Sequence, residues 1–477
     1  MTELKTQPSP AASPRPSSPL DRFFELTARG TTVTREIRGG VTTFVAMAYL
    51  VVLIPIILSG AKDVTGASMT VPQLTTATAL SAAITTILMG LVGNAPLAMA
   101  AGLGVAPIVA FQAGPVMTWP EAMGLVVLEG AVIIVFALTG LREAIMNAIP
   151  TALKHAIGVG IGAFIALIGL VDAGFVSKGA GTPLTLGTGG ALATWPVAVF
   201  CVTLVLMIAL YVRRVPGSIL ISIVLGTVVA IVVNAVATVR DWGVVTPKLP
   251  SSIVGAPDFG LLFDVDLFGG FARAGVLTAT IVLFTLVLSG FFDAMGTILG
   301  VTQEAGLTGA DGKVRNLSRI LFVDGLGAIA GGGAGTAPNT AVVESAAGVG
   351  EGAKTGLASV VTGALFLVVL FLTPLAAVVP IQAAAPALVL VGALMMAQCR
   401  HIPWDDLSIS IPAFLTIVIM PFTYSITNGI GAGVIAYAVV KIAQGRAREP
   451  HWMVWAISVA FAAYFAITPI KALFGLG

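Results

Sequence analysis

Four carboxylates stand inside stretches that are otherwise apolar: Glu129, Asp293, Asp324 and Glu344. An ionised carboxylate at the centre of a bilayer costs roughly 2.5–3.5 kcal/mol, so each of them needs a partner or a purpose. A carboxyl in such a place can also stay neutral, which suits a group that takes up and releases a proton. Asp293 lies in Ser289-Gly290-Phe291-Phe292-Asp293-Ala294-Met295-Gly296-Thr297. At helical spacing Ser289, Asp293, Gly296, Thr297 and Gly300 share one face, a small polar stripe beside a carboxylate. Glu344 follows Pro338 closely, at the start of a segment that a proline has broken. Asp293 and Glu344 are therefore the site candidates. Glu129, after a run of Val and Leu, and Asp324, near the start of its segment, read as structural or gating acids. A hydrogen bond between helices is the competing use of all four.

The elements that carry these acids follow from composition. Only 10% of the 477 residues are charged, 57% are hydrophobic, and the mean hydropathy is +1.02. A soluble chain is about 25% charged, so a water-covered surface is excluded and a polytopic membrane protein remains. Apolar runs long enough to span a core of about 30 Å fall at 41–60, 73–93, 95–113, 119–140, 151–172, 194–212 and 216–234. After a polar connector at 235–270 they resume at 274–300, 318–334, 336–350, 355–379, 382–398, 405–423 and 426–445, with a shorter run at 451–467. The Pro- and Ser-rich segment 1–30 reads as a disordered cytoplasmic tail with no secretory signal. Two seven-span sets, 31–234 and 271–445, with a hydrophobic segment at 446–477, predict an all-α fold of 14 transmembrane segments as two inverted repeats. Weak echoes support the repeat: Asn94-Ala95-Pro96 against Thr336-Ala337-Pro338, and Ile149-Pro150-Thr151-Ala152-Leu153 against Ala385-Pro386-Ala387-Leu388. With the N-terminus inside, most of the 24 Lys and Arg fall on the cytoplasmic side.

Two of these runs are unlike ordinary membrane helices. The third carries Pro96, Gly102, Gly104 and Pro107, and the junction around 325–352 has a dense Gly run and Pro338. Irregular backbone at membrane depth is tolerated where it is buried in protein or lines a cavity, so paired breaks mark a binding site; close packing of small residues is the other reading. Other chemistry is disfavoured. Cys201 and Cys399 have no metal-ligand spacing, and His155, His401 and His451 are far apart in sequence. Lys154 and His155 read as an interfacial pair, and Gly158-Val159-Gly160-Ile161-Gly162 as a helix-packing face. There is no phosphate-binding lysine motif, no nucleophile set and no basic stripe for nucleic acid.

The stretches Phe292-Asp293-Ala294-Met295-Gly296-Thr297, Glu344-Ser345-Ala346-Ala347-Gly348-Val349 and Ile411-Pro412-Ala413-Phe414-Leu415-Thr416 carry a resemblance. With Ile149-Pro150 and Lys354-Thr355-Gly356-Leu357, they make the chain similar to the nucleobase:cation symporter-2 superfamily, in particular the Azg-like adenine/guanine/hypoxanthine permeases. The resemblance covers most of residues 30–470. It implies a core bundle (spans 1–4 and 8–11) moving against a gate bundle (5–7 and 12–14), short strands in spans 3 and 10, and possible homodimers. It implies a secondary transporter importing purine nucleobases by alternating access, with the proton as coupling ion and no cofactor, in the cytoplasmic (inner) membrane. The implied substrate-binding set is Asp293, Glu344, Thr297, Ala106, Phe292 and Thr336, with Asp293 and Glu344 also coupling the proton. Phe291, Phe292 and Phe111 are the rings available for stacking on a base. Three positions depart from the family pattern: Ala106 where an Asn is frequent, Gly290 where an extra acid is frequent, and the run Ala337 to Val343, which lacks the usual Tyr. They bear on substrate identity, with xanthine, uracil or an anion as the alternative cargoes of the same fold. An anion would meet Asp293 and Glu344 with no basic residue beside the broken spans.

Overall fold

A computed structural model describes residues 18–139, 150–179, 181–237, 239, 242–243, 245–250, 252–308 and 314–473. Long runs of Leu, Ile, Val and Ala satisfy their own backbone as helices, as a bilayer requires. The chain opens with the short α1 (Pro19–Phe24), the long α2 (Val33–Ser59) and α3 (Val71–Gly93). Strand β1 (Met99–Ala101) and the short α4 (Ala106–Val116) come next. Then follow α5 (Trp119–Thr139), α6 (Thr151–Asp172), the outlying hairpin β2 (Val176–Ser177) and β3 (Thr185–Leu186), α7 (Trp195–Val212) and α8 (Ser218–Val236). The second half runs α9 (Val276–Glu304), α10 (Leu317–Ala334), β4 (Asn339–Ala341) and α11 (Ser345–Gly350). It ends with α12 (Gly356–Ala376), α13 (Ile381–His401), α14 (Leu407–Thr423), α15 (Ile426–Ala443) and α16 (Trp452–Leu473).

Among the described residues, eleven helices are long and apolar enough to cross a membrane. The segments at 95–113 and 336–350 each carry the short strand that the resemblance implies, followed by a short helix. Proline removes a backbone donor and clashes with the preceding turn, so Pro96 and Pro338 stop a helix from forming ahead of β1 and β4. The expected tail is also shorter than 1–30. The Ser18 hydroxyl accepts from the Asp21 N–H to cap α1, and Phe24 and Leu26 are buried. Residues 1–17 of that tail lie outside the described residues, as does Ile149.

The helices pack as two groups. In one, α5 lies along α10, α12 along α3 and α2, and α9 along α5. In the other, α6 packs on α13 and α14, α14 on α15, and α7 on α8 and α13. Contacts between the groups are sparse and include α9 against α6 and α15. The α5–α10 pair is close because Gly130 and Gly325 face each other; a methyl on Gly130 would sit 2.5 Å from the Gly325 carbonyl oxygen. Such contacts let helices touch through backbone atoms in a solvent that offers no hydrophobic drive.

Candidate functional site

The two broken segments meet. β1 and β4 pair antiparallel, with Met99 opposite Ala341, Ala100 opposite Thr340 and Ala101 opposite Asn339. Past the strand ends, the Gly102 N–H donates to the Pro338 carbonyl (3.0 Å) and the Val342 N–H to the Ala98 carbonyl (3.1 Å). A two-strand ladder leaves its outer edges unpaired, which is costly away from water. Side chains of neighbouring helices fill that need. On α3, the Thr86 hydroxyl accepts from the Met99 N–H and donates to the Met99 carbonyl, both at 2.9 Å. The Asn339 amide donates to the Thr85 hydroxyl (3.1 Å). On α10, Asp324 accepts from the Thr340 hydroxyl (3.0 Å) and the Ala341 N–H (3.2 Å). The Ser345 hydroxyl accepts from the Ala98 N–H (2.9 Å).

Asp293 and Glu344 flank this strand pair. Asp293, half-buried on α9, directs Oδ2 at the turn after β1, within 4.0 Å of where side chains at Gly102 and Gly104 would begin. Glu344 immediately precedes α11, which packs against α9. The hydroxyl of Tyr49, fully buried in α2, donates to Glu344 Oε1 at 2.6 Å. Two carboxylates so placed can accept N–H donors from a small heterocycle, and glycines at 102 and 104 leave room for it to approach. Among the described residues no cluster of His, Cys, Asp or Glu has the arrangement to hold a metal ion.

The remaining candidates are spread around this centre. Ala106 opens α4 and donates its N–H to the Gly102 carbonyl (2.9 Å). Thr297 is one turn along α9 from Asp293 and nearly buried. Thr336 is fully buried, its hydroxyl 3.1 Å from that of Thr78 on α3. Glu129, on α5, is fully buried and faces Gly290, one turn before Asp293. Phe291 packs edge-on against Phe136 and Phe292, and Phe111 against Tyr424. Phe292 carries the Lys154 ammonium 5.2 Å from its ring centre. Lys154 is thus drawn to the site helix by a cation–π contact, where the sequence suggested an interfacial pair. His155 and His401, far apart in the chain, stack with ring centres 5.0 Å apart.

Sequence reasoning missed Tyr49 and Gln112, whose side chain joins α4 to α15 by accepting from the Thr427 hydroxyl, and read Lys154 only as half of an interfacial pair. A signal existed for Tyr49: a phenol inside an apolar run needs a partner for its O–H.

The model of the "Permease family" matches residues 34–432. The chain is 37% identical to "Guanine/hypoxanthine permease PbuG" of Bacillus subtilis (strain 168), covering 94% of this chain and 99% of the relative. It is 34% identical to "Adenine permease AdeQ" of Escherichia coli (strain K12), covering 94% and 96%. Among solved structures, the transmembrane domain of the cyanobacterial bicarbonate transporter BicA superposes with a TM-score of 0.58 at 19% identity, covering 86% of this chain and 96% of that one. The murine anion transporter Slc26a9 in its inward-facing state superposes with a TM-score of 0.60 at 12% identity, covering 92% and 74%. At these identities the two structures share the fold alone.

Proposed function

Because the chain belongs to the permease family, it is a multi-pass membrane transporter and not an enzyme, and we propose that it imports purine nucleobases (hypoxanthine, guanine or adenine) with protons. The observation that carries this reading is the placement of Asp293 and Glu344 at the junction of two broken spans. A purine offers N–H donors along one edge and a flat apolar face. Two carboxylates match the edge, and charge-assisted hydrogen bonds of this kind are about twice as strong as neutral ones. The names of the relatives point to the same cargo. Thr297, Ala106, Phe292 and Thr336 complete the proposed binding set, with Lys154 holding the Phe292 ring.

In this reading the chain crosses the cytoplasmic membrane fourteen times as two inverted seven-span repeats, with its N-terminus inside. An extended residue advances about 3.3 Å against 1.5 Å in a helix, so a strand joined to a short helix can bridge more depth than its length suggests. The two helix groups then act as a core and a gate that rock about the strand pair, and two copies associate through their gates.

Uptake of radiolabelled hypoxanthine, guanine, adenine, xanthine and uracil into cells lacking their own permeases tests the proposal. Purine uptake that collapses with a proton-gradient dissipator is expected, and Asp293→Asn and Glu344→Gln should each abolish it. Failure to carry any nucleobase would refute the reading, and normal uptake by both variants would refute the site.

A further inference from the structure

Glu129 is the acid that the binding site does not use. It is fully buried in α5, and neither Oε1 nor Oε2 has a hydrogen-bond partner among the described residues. On the facing helices, Gly325 and Ile329 of α10 lie against the adjoining Gly130, and Gly290 of α9 lies directly against Glu129 Oε1. A side chain at 290 would require that oxygen to move. The α9 helix thus carries a notch that houses this carboxyl one turn from Asp293. The acids beside it form a series. Asp324 precedes Gly325, which packs on Gly130 beside Glu129; Asp324 accepts from Thr340, and Thr340 and Asp293 Oδ2 both border Gly102. Asp324 is committed to β4 through the Thr340 hydroxyl and Ala341 N–H. Among the described residues the ion pair on the same helix, Arg273 with Glu121, is at the start of α5, about two turns away.

An acid buried without donors is a poor structural element, because a hydrogen bond would make it useful and an apolar residue would make it harmless. We propose that Glu129 is the carboxyl that carries the transported proton, held behind the nucleobase site and linked to it by charge through Asp324 and Asp293. The inference rests on the proton-coupled reading above and assigns its proton.

The step is a reversible protonation. Water on the loading side supplies one proton, an O–H bond forms on a Glu129 carboxylate oxygen, and the same bond breaks as the proton leaves on the releasing side. Neutral Glu129 adds no negative charge to the series, so Asp293 can remain ionised to accept a purine N–H. Ionised Glu129 repels Asp324 and, through it, Asp293, which weakens the hold on the base. Proton and nucleobase therefore each favour the other's binding, as reciprocal linkage requires.

The test uses the full-length protein in liposomes with radiolabelled hypoxanthine, guanine and adenine. One proton per base gives about tenfold accumulation per unit of imposed pH gradient. Glu129→Gln fixes the neutral form: base-for-base exchange survives, while accumulation driven by the gradient falls to the level without one. Gradient-driven accumulation by Glu129→Gln equal to wild type overturns the assignment. If Glu129→Gln does not assemble, as shown by loss of exchange, Glu129→Asp decides. It keeps gradient drive with a displaced pH profile if Glu129 carries the proton, and an unchanged profile overturns the idea. A wild-type protein that ignores the gradient refutes proton symport itself, and the Glu129 assignment with it. A gradient-driven wild type beside a gradient-driven Glu129→Gln refutes Glu129 alone.

Discussion

Tyr49 holds one of the two carboxylates proposed to recognise the base. Its phenol is buried in α2 and donates to Glu344 Oε1 at 2.6 Å. A hydrogen bond to a charged group contributes about 1.5–3 kcal/mol. Tyr49→Phe keeps the ring and removes only that donor, so the KM for uptake should rise about tenfold or more while the protein still inserts and folds. An unchanged KM would show that Glu344 is positioned by other means. The acids themselves were legible in the sequence, because carboxylates stand out in apolar runs. Their partners were not. Tyr49 and Lys154 lie far from Glu344 and Phe292 in the chain, and no periodicity links a phenol in the first long helix to a carboxylate after Pro338.

At the scale of elements, the breaks in the third and tenth apolar runs were visible from proline and glycine alone. What a hydropathy pattern does not show is how those breaks are paired and held. The hydroxyls of α3 that support β1 and β4 stand in VPQLTTATALSAAITTIL, which reads as an unremarkable small-residue helix. Hydroxyls in a helix commonly bond back to a carbonyl one turn earlier, as Thr85 does with Ser81 at 2.7 Å. Nothing in their spacing reveals that Thr85 and Thr86 also serve a strand.

The outer turn between α2 and α3 supports a prediction of its own. Burial would raise the Asp63 carboxyl, but hydrogen bonds from the Thr65 hydroxyl and from the Ala67, Thr65 and Trp119 amides outweigh it and hold the group below the usual aspartate range. The ionised form is therefore the one the fold binds. Its contribution is present at neutral pH and is lost as pH falls through the lowered value in the folded state. Asp63→Asn should cost about 2 kcal/mol at pH 7. In thermal unfolding of the detergent-solubilised protein, the gap to wild type should close below about pH 4. A gap of constant size across that range would show that charge is not what the turn holds.

For the molecule as a whole, the sparse contact between the two helix groups favours the relative motion that the proposed function needs. Two of the links that cross it are polar: Gln112 of α4, which packs with α2 and α9, accepts from the Thr427 hydroxyl of α15, and that hydroxyl is also 3.2 Å from the Thr285 hydroxyl of α9. Beside them Tyr424 stacks edge-on with both Phe111 and Phe164. Alternating access requires these links to part in every cycle. In a background without Cys201 and Cys399, Gln112→Cys paired with Thr427→Cys should lose uptake on treatment with a short thiol cross-linker that reductant can cleave, and regain it on reduction. Full uptake by the cross-linked protein would show that the two groups do not separate there. The β1–β4 pair has a further consequence, for the order in which the molecule is made. Met99–Ala101 leaves the ribosome more than two hundred residues ahead of Asn339–Ala341. Until its partner is translated, β1 waits in the nascent protein with most of its ladder unmade, while Thr86 already holds Met99 from within the same half. The proposed site is therefore absent from either half alone, and a late truncation that spares every residue of the first half still yields a chain without it.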